Sequence, residues 1–358
     1  MSRAYDLVTN LTSSTALPLG ERQRQLRDFS EELGWRPSYH IIEGPFVTAK
    51  ANAHLVVEHG LEPAAVITFL NEATRFSELG TSEVNSLMGL SYNNLADWHL
   101  YVERERVTFC FNRAEVPVQE RCEISRSDDR ILRSDAFEQV AGRRPSPNFP
   151  ALDEALIRTI SNWKRALSAE LGYAVPNENL SALFNGILFE RAVEDHRRNS
   201  QEDTGMLLQE WANNPAPAVS EVIESSLRRL IGGPVPQWLL DKPKLTVFDR
   251  LDRDMVFGLL GDFYRNRFAP YKYDFSIMSK HALSRIYEHY STILHVQASP
   301  QGSFFPILPE EELNKSYGSV YTPQFIAGFF ARFLRDQMSP PFFRTLKAVD
   351  PACGSAFS

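Results

Sequence analysis

Leu346-Lys-Ala-Val-Asp350-Pro-Ala-Cys-Gly-Ser-Ala-Phe-Ser358 reads as a short apolar strand opening into a tight turn of small residues. In doubly wound sheets, ligands bind just past the carboxyl ends of strands, where small residues let the backbone come close. Asp350 stands where a carboxylate can meet an ammonium group, and Gly354 clears space for a ligand. Glycine and serine populate most loops, so this turn alone is equally an ordinary surface connection.

Upstream lies Tyr321-Thr-Pro-Gln-Phe-Ile-Ala-Gly-Phe-Phe330, continuing to Arg335. Thr322 is a good helix N-cap, and Pro323 occupies the first helical position, where its missing N–H costs nothing. Phe325, Ile326, Phe329, Phe330, Phe333 and Leu334 then form one apolar stripe, with Arg332 and Arg335 toward the C-terminal end. The predicted element is an amphipathic helix whose N-terminus offers unpaired backbone donors to a carboxylate. Taken alone, it is also what a capped core helix looks like.

Together the two stretches are far more specific. Tyr-Thr-Pro at a helix start, followed after a strand by Asp-Pro-Ala-Cys-Gly-Ser, resembles the amino-methyltransferases that act on adenine in DNA. The resemblance implies S-adenosylmethionine as cofactor, its methionine part held by Tyr321, Thr322 and Pro323 and by Asp350, Pro351, Ala352, Cys353 and Gly354. Ser355 is followed by Ala356, where the family loop carries glycine. Two further segments are similar to restriction-linked members of the family. One is Leu183-Phe-Asn-Gly-Ile-Leu-Phe-Glu-Arg191 with Glu194-Asp195; the other is Tyr273-Asp-Phe-Ser-Ile277 with Leu283 and Ile286-Tyr-Glu288. By pattern, these upstream residues are packing and scaffold rather than site. The implied fold is mainly α with an α/β N-terminal part: a helical domain followed by the start of a Rossmann-like methyltransferase domain. The implied activity is methyl transfer to adenine N6 in double-stranded DNA, within a restriction-modification or phage-defence system that can include restriction or specificity subunits.

The resemblance also places the acidic ribose ligand and the Asn/Asp/Ser-Pro-Pro-aromatic catalytic motif after the first cofactor loop, beyond Ser358. Ser339-Pro-Pro-Phe342 matches that motif by letter, but it precedes the first strand and reads as a helix terminator. The chain is therefore expected to be an incomplete front part, inert by itself and weakly packed over Ala348 to Ser358, because a lone strand leaves both edges unpaired. The rival expectations are a helical binding module without catalysis, and a methyltransferase acting on RNA or protein.

Outward from this end, the three expected divisions are residues 1–146, 147–300 and 301–358. In the first, Pro63 to Leu70 is a β-branched and apolar run, while Trp98–Tyr101 and Val107–Phe111 flank a charged tip as in a hairpin. The N-terminus alternates polar and apolar residues from Met1 to Thr15, without the apolar core of a signal peptide. Arg143 to Pro150 is rich in arginine and proline and marks a boundary. From there Leu152, Leu156, Ile157, Ile160, Trp163 and Leu167 recur at helical steps. A second helix turns Leu183, Phe184, Ile187, Leu188 and Val193 inward and Glu190, Arg191, Glu194 and Arg197 mostly outward. A third spans roughly His281 to Leu294. Asn213–Ala218 and Gly232–Pro236 break the chain between helices.

Composition narrows the classes. Of 358 residues, 43% are hydrophobic and 23% charged, values of a folded globular protein. A net charge of -7 argues against a surface basic throughout, though a local basic groove is compatible with it. Cys110, Cys122 and Cys353 are odd in number and widely spaced, which points to a reducing compartment and a cytoplasmic protein. No apolar run is long enough for a bilayer. The eight histidines form no metal-ligand spacing, no phosphate loop or nucleophile elbow occurs, and no lysine follows an acidic residue by two places as in a nuclease.

Overall fold

The structure, a computed structural model, describes residues 3–278 except 16, 43–47, 49, 60, 61, 115–117, 144, 198–204, 215–217 and 236–239, and beyond them Ala282 and Ile286. The described chain is mixed α/β. Its one sheet has six strands in chain order, β1 (Arg36–Ile42), β2 (Ala51–His59), β3 (Glu62–Leu70), β4 (Trp98–Glu103), β5 (Arg106–Phe111) and β6 (Val118–Glu123). Neighbours run antiparallel except β3 and β4, which are parallel. A parallel pair needs a crossover rather than a tight turn, and helix α3 (Thr81–Asn93) supplies it.

The strand sequences alternate between two buried faces. Leu55 and Val57 of β2, Ile67 and Phe69 of β3, Leu100 and Val102 of β4, and Val107 and Phe109 of β5 share one face. Helices α1 (Arg3–Leu11), α2 (Leu19–Glu32) and α4 (Ser134–Ala141) cover it with Leu7, Leu11, Leu26, Phe29, Phe137 and Val140. Phe29 meets Phe69 edge-on, with ring centroids 5.0 Å apart. The intervening residues, among them His54, Thr68, His99 and Thr108, face the other side and are equally buried. There α3 contributes Leu90, which packs with Val56, Val66 and Ile277.

The hairpin expected around Glu103–Arg106 is present, but the strands run further into the charged segment than the apolar runs suggest. Val102 pairs with Val107 and Glu103 with Arg106, leaving Arg104 and Glu105 as the turn. The N-terminal segment read as an alternation instead contains α1, because Ala4, Leu7, Val8 and Leu11 recur at helical spacing and are buried.

The helices that follow are α5 (Leu152–Leu171), α6 (Asn177–Arg197), α7 (Met206–Asn213), α8 (Val219–Ile231), α9 (Lys242–Leu245) and α10 (Arg253–Gly261), and residues 262–278 after them are irregular. Helix α5 buries Leu152, Leu156, Ile160 and Leu167 and keeps Ile157 and Trp163 half-buried. It ends at Gly172 (φ +75°), as α8 ends at Gly232 (φ +69°), the left-handed stop that favours glycine. Helix α10 starts on Asp252, whose carboxylate accepts from the N–H groups of Asp254 and Met255 at 2.9 and 3.2 Å.

Helix α6 corrects the sequence expectation. Glu190, Arg191 and Glu194, expected mostly outward, are buried together with Asp195, while Arg197 is exposed. A helix with apolar and charged stripes normally turns the charges to water. Here α8 and the chain after α10 close over the charged side as well. Residues Met1–Ser279 form one compact unit and Lys280–Ser358 a second. Of the helix expected over His281–Leu294, only Ala282 and Ile286 are described, both helical.

Candidate functional site

All eight residues expected to hold the cofactor, Tyr321, Thr322, Pro323, Asp350, Pro351, Ala352, Cys353 and Gly354, lie outside the described residues, as does Ser339–Phe342. Of the two upstream segments that share the family resemblance, the first is described, as are Tyr273–Ile277 and Ile286 of the second, whose Leu283, Tyr287 and Glu288 lie outside the described residues; the first segment and Tyr273–Ile277 meet. Asp195 of α6 accepts the backbone N–H of Phe275 through Oδ2 at 2.9 Å. The Tyr273–Ile277 segment is held from its other side by α3. Asn93 donates to the Lys272 carbonyl at 3.0 Å and accepts from the Asp274 N–H at 3.0 Å, and Asn94 donates to the Ile277 carbonyl at 2.9 Å. Tyr271 just before it donates to the Asn112 carbonyl at 2.7 Å. Three side chains, those of Asn93, Asn94 and Asp195, thus satisfy the backbone of an irregular segment whose buried polar groups would otherwise be costly.

Arg191 sits at the centre of the α6 cluster. Its Nη1 and Nη2 face Glu194 Oε2 at 2.7 Å and Asp195 Oδ1 at 2.8 Å, and its Nε donates to the Phe263 carbonyl at 3.3 Å. The guanidinium lies 3.9 Å from the centroid of the Tyr264 ring. Tyr264 donates its hydroxyl hydrogen to Glu194 Oε2 at 2.8 Å and accepts the Leu207 N–H at 3.1 Å. Glu194 Oε1 takes the Met206 N–H at 2.9 Å, at the start of α7. Removing a guanidinium and two carboxylates from water is expensive, and only this density of partners offsets it. Burial works against the Arg191 charge, but Asp195, Tyr264 and Glu194 outweigh it and hold the group protonated.

Glu190, one turn before Glu194, has a different state. Its Oε1 accepts from the Ser226 hydroxyl on α8, whereas Oε2 has no hydrogen-bond partner. Burial pushes its carboxyl up to about 8, helped by the negative Glu194 and Asp195 against the opposing pull of Ser226 and Arg191. At neutral pH it is mostly the uncharged acid. Arg191 pairs with Glu194 and Asp195 within α6, and the other contacts join α6 to α7, α8 and residues 263–275, so the cluster acts as a clamp on these elements.

A second buried polar group, which the sequence did not single out, crosses the sheet face under α3. His54 Nδ1 lies 2.9 Å from Thr68 Oγ1, and Thr68 Oγ1 lies 2.7 Å from His99 Nε2. His99 Nδ1 is 3.4 Å from Ser91 Oγ, which also accepts from Asn112 Nδ2 at 2.9 Å. Burial, and then the neighbouring His54, hold the His99 imidazole well below the usual histidine range. The available signal was polar residues at alternate positions of strands otherwise apolar on both faces. Among the described residues, no three His, Cys, Asp or Glu side chains group as a metal site, and no helix is long and apolar enough to cross a membrane. Cys110 and Cys122 are free thiols.

No known protein family, no curated protein and no solved structure matches the chain.

Proposed function

We propose that this chain belongs to an S-adenosylmethionine-dependent methyltransferase that modifies adenine N6 in double-stranded DNA, acting in a restriction-modification or phage-defence setting with restriction or specificity subunits as partners. One observation carries the proposal: in the sequence, Tyr-Thr-Pro at Tyr321–Pro323 is followed by Asp-Pro-Ala-Cys-Gly at Asp350–Gly354, the order of the two motifs that hold the cofactor in the family this chain resembles. On the sequence pattern the first motif would start a helix whose free N–H groups suit the cofactor's carboxylate, and Asp350 would offer an acceptor to its ammonium group. The segment around them is then the start of a Rossmann-like domain. The meeting of Asp195 with Phe275 supports the proposal, because the two upstream segments that share the resemblance are neighbours in space.

The cofactor's sulfonium supplies an activated methyl group, and the protein's share of the work is positioning. Adenine N6 is a weak nucleophile because its lone pair is delocalised into the ring. An enzyme acting on it must take the base out of the stack and accept its amine hydrogens. The test is transfer of labelled methyl from S-adenosylmethionine to duplex DNA by the protein as its gene expresses it. The expected product is N6-methyladenine, lost in Asp350→Ala. Label appearing in RNA or protein and not in DNA would replace the substrate class. A wild-type protein that neither binds the cofactor nor methylates adenine would overturn the proposal.

A further inference from the structure

We propose that His54, Thr68, His99 and Ser91 form a one-directional hydrogen-bond chain that latches α3 to the sheet and opens when an extra proton enters it. Direction follows from counting hydrogens. The Ser91 hydroxyl gives its one hydrogen to the Met88 carbonyl at 2.9 Å. Toward Asn112 Nδ2 and His99 Nδ1 it therefore acts as an acceptor, at 2.9 and 3.4 Å. The hydrogen between His99 and Ser91 thus sits on Nδ1, and in a neutral imidazole Nε2 is then bare. Thr68 must donate to that bare nitrogen across 2.7 Å. With its only hydrogen spent, Thr68 accepts from His54, whose hydrogen is accordingly on Nδ1 as well.

Such a chain has no place for another proton on His99. Protonating His99 on Nε2 turns its acceptor into a donor facing the Thr68 hydroxyl. Thr68 cannot swing its hydrogen toward His54, because Nδ1 there already carries one. Nor do the surroundings welcome the charge. His54, Thr68, His99 and Ser91 are all fully buried. Among the described residues, the titratable groups around His99 are His54 from β2, Tyr101 from its own strand with its ring 4.4 Å away and Cys110 opposite it on β5, with Tyr271 from the chain after α10 beyond Tyr101 and Cys110. Burial raises Cys110 to about 12 and lifts both tyrosines, so none of these is an anion near neutral pH. Ser91 belongs to α3, and the same helix end carries Asn93 and Asn94, which hold residues 272–277. Opening this latch therefore loosens the joint between the sheet and the helices, whatever reaction the protein catalyses.

Nitrogen-15 NMR of the labelled full chain at about pH 7 reads the direction without any variant: both imidazoles are expected neutral, with the hydrogen on Nδ1. A hydrogen on Nε2 of either ring overturns the proposal. Hydrogen exchange then reads the latch. Corrected for intrinsic rates, α3 amides are expected to exchange faster by on the order of tenfold per pH unit below 6.5, the slope of one proton taken up on opening. His99→Gln should lose that acid response. No acceleration in the wild type, or an unchanged one in a folded His99→Gln, contradicts the latch; if that variant does not fold, the wild-type tautomers and exchange decide.

Discussion

The two buried polar networks differ in electrical character. Under α3 the partners are neutral hydroxyl, imidazole and amide groups, and the network has no room for an added proton on His99. On α6 they are a guanidinium, two carboxylates and a third carboxyl kept uncharged by burial. The neutral chain is cheap to bury and fails when it gains charge. The ionic cluster is expensive to bury and fails when it loses its counter-charge. Both perform the same mechanical task, since Asn93 and Asn94 from beside the first and Asp195 from the second hold residues 272–277 between them.

Removing the counter-charge should have the largest effect. Arg191→Met deletes the guanidinium that Glu194 and Asp195 face and is expected to cost about 3–5 kcal/mol in urea unfolding. A loss below about 1 kcal/mol would mean that Tyr264 and the backbone donors suffice without it. Cutting the neutral chain should cost less. Thr68→Val removes a donor and an acceptor at once and is expected to lose about 2–3 kcal/mol in total for the two imidazole nitrogens left unpaired, with Thr68→Ser close to wild type. Equal losses in the valine and serine variants would reduce Thr68 to packing.

The smallest effect is the sharpest separation of the two networks, because its sign differs. A neutral histidine whose folded pKa is depressed leaves the unfolded chain binding more protons, so the sheet network loses stability as pH falls below 6.5. Glu190 is shifted the other way. Its stabilisation is full below 4.5 and is lost as pH rises toward about 8. Glu190→Gln keeps a partner for Ser226 but does not titrate. It should flatten stability between 4.5 and 8 while leaving the decline on the acid side of 6.5. Matched pH profiles of the two proteins, by urea midpoint, measure this.

Elements governed by local pattern were legible in the sequence. The β4–β5 hairpin followed from two apolar runs around a charged tip, α5 from apolar residues at helical steps, and the end of α8 from Gly232. The less apolar strands were not. The edge strand β6, Val-Gln-Glu-Arg-Cys-Glu, has the charge that protects an exposed edge and looks like loop. The inward turn of Arg191 and Glu194 was hidden for a different reason. Their burial depends on Tyr264, Met206 and Phe275, and a helical repeat holds no information about partners so far away. The sheet network was hidden likewise, since His54, Thr68 and His99 meet only through strand register. Of the candidate site, the motifs themselves were legible, while what they bind is a question of chemistry beyond their letters.

Ultraviolet cross-linking of methyl-labelled S-adenosylmethionine to the protein as its gene expresses it, followed by peptide mapping, tests the central proposal most directly. The label is expected in the peptides that contain Tyr321–Pro323 and Asp350–Gly354, competed away by unlabelled cofactor and lost in Asp350→Ala. A folded wild-type protein that takes up no label, or takes it up only elsewhere, would contradict the assignment of these residues to a methyl donor.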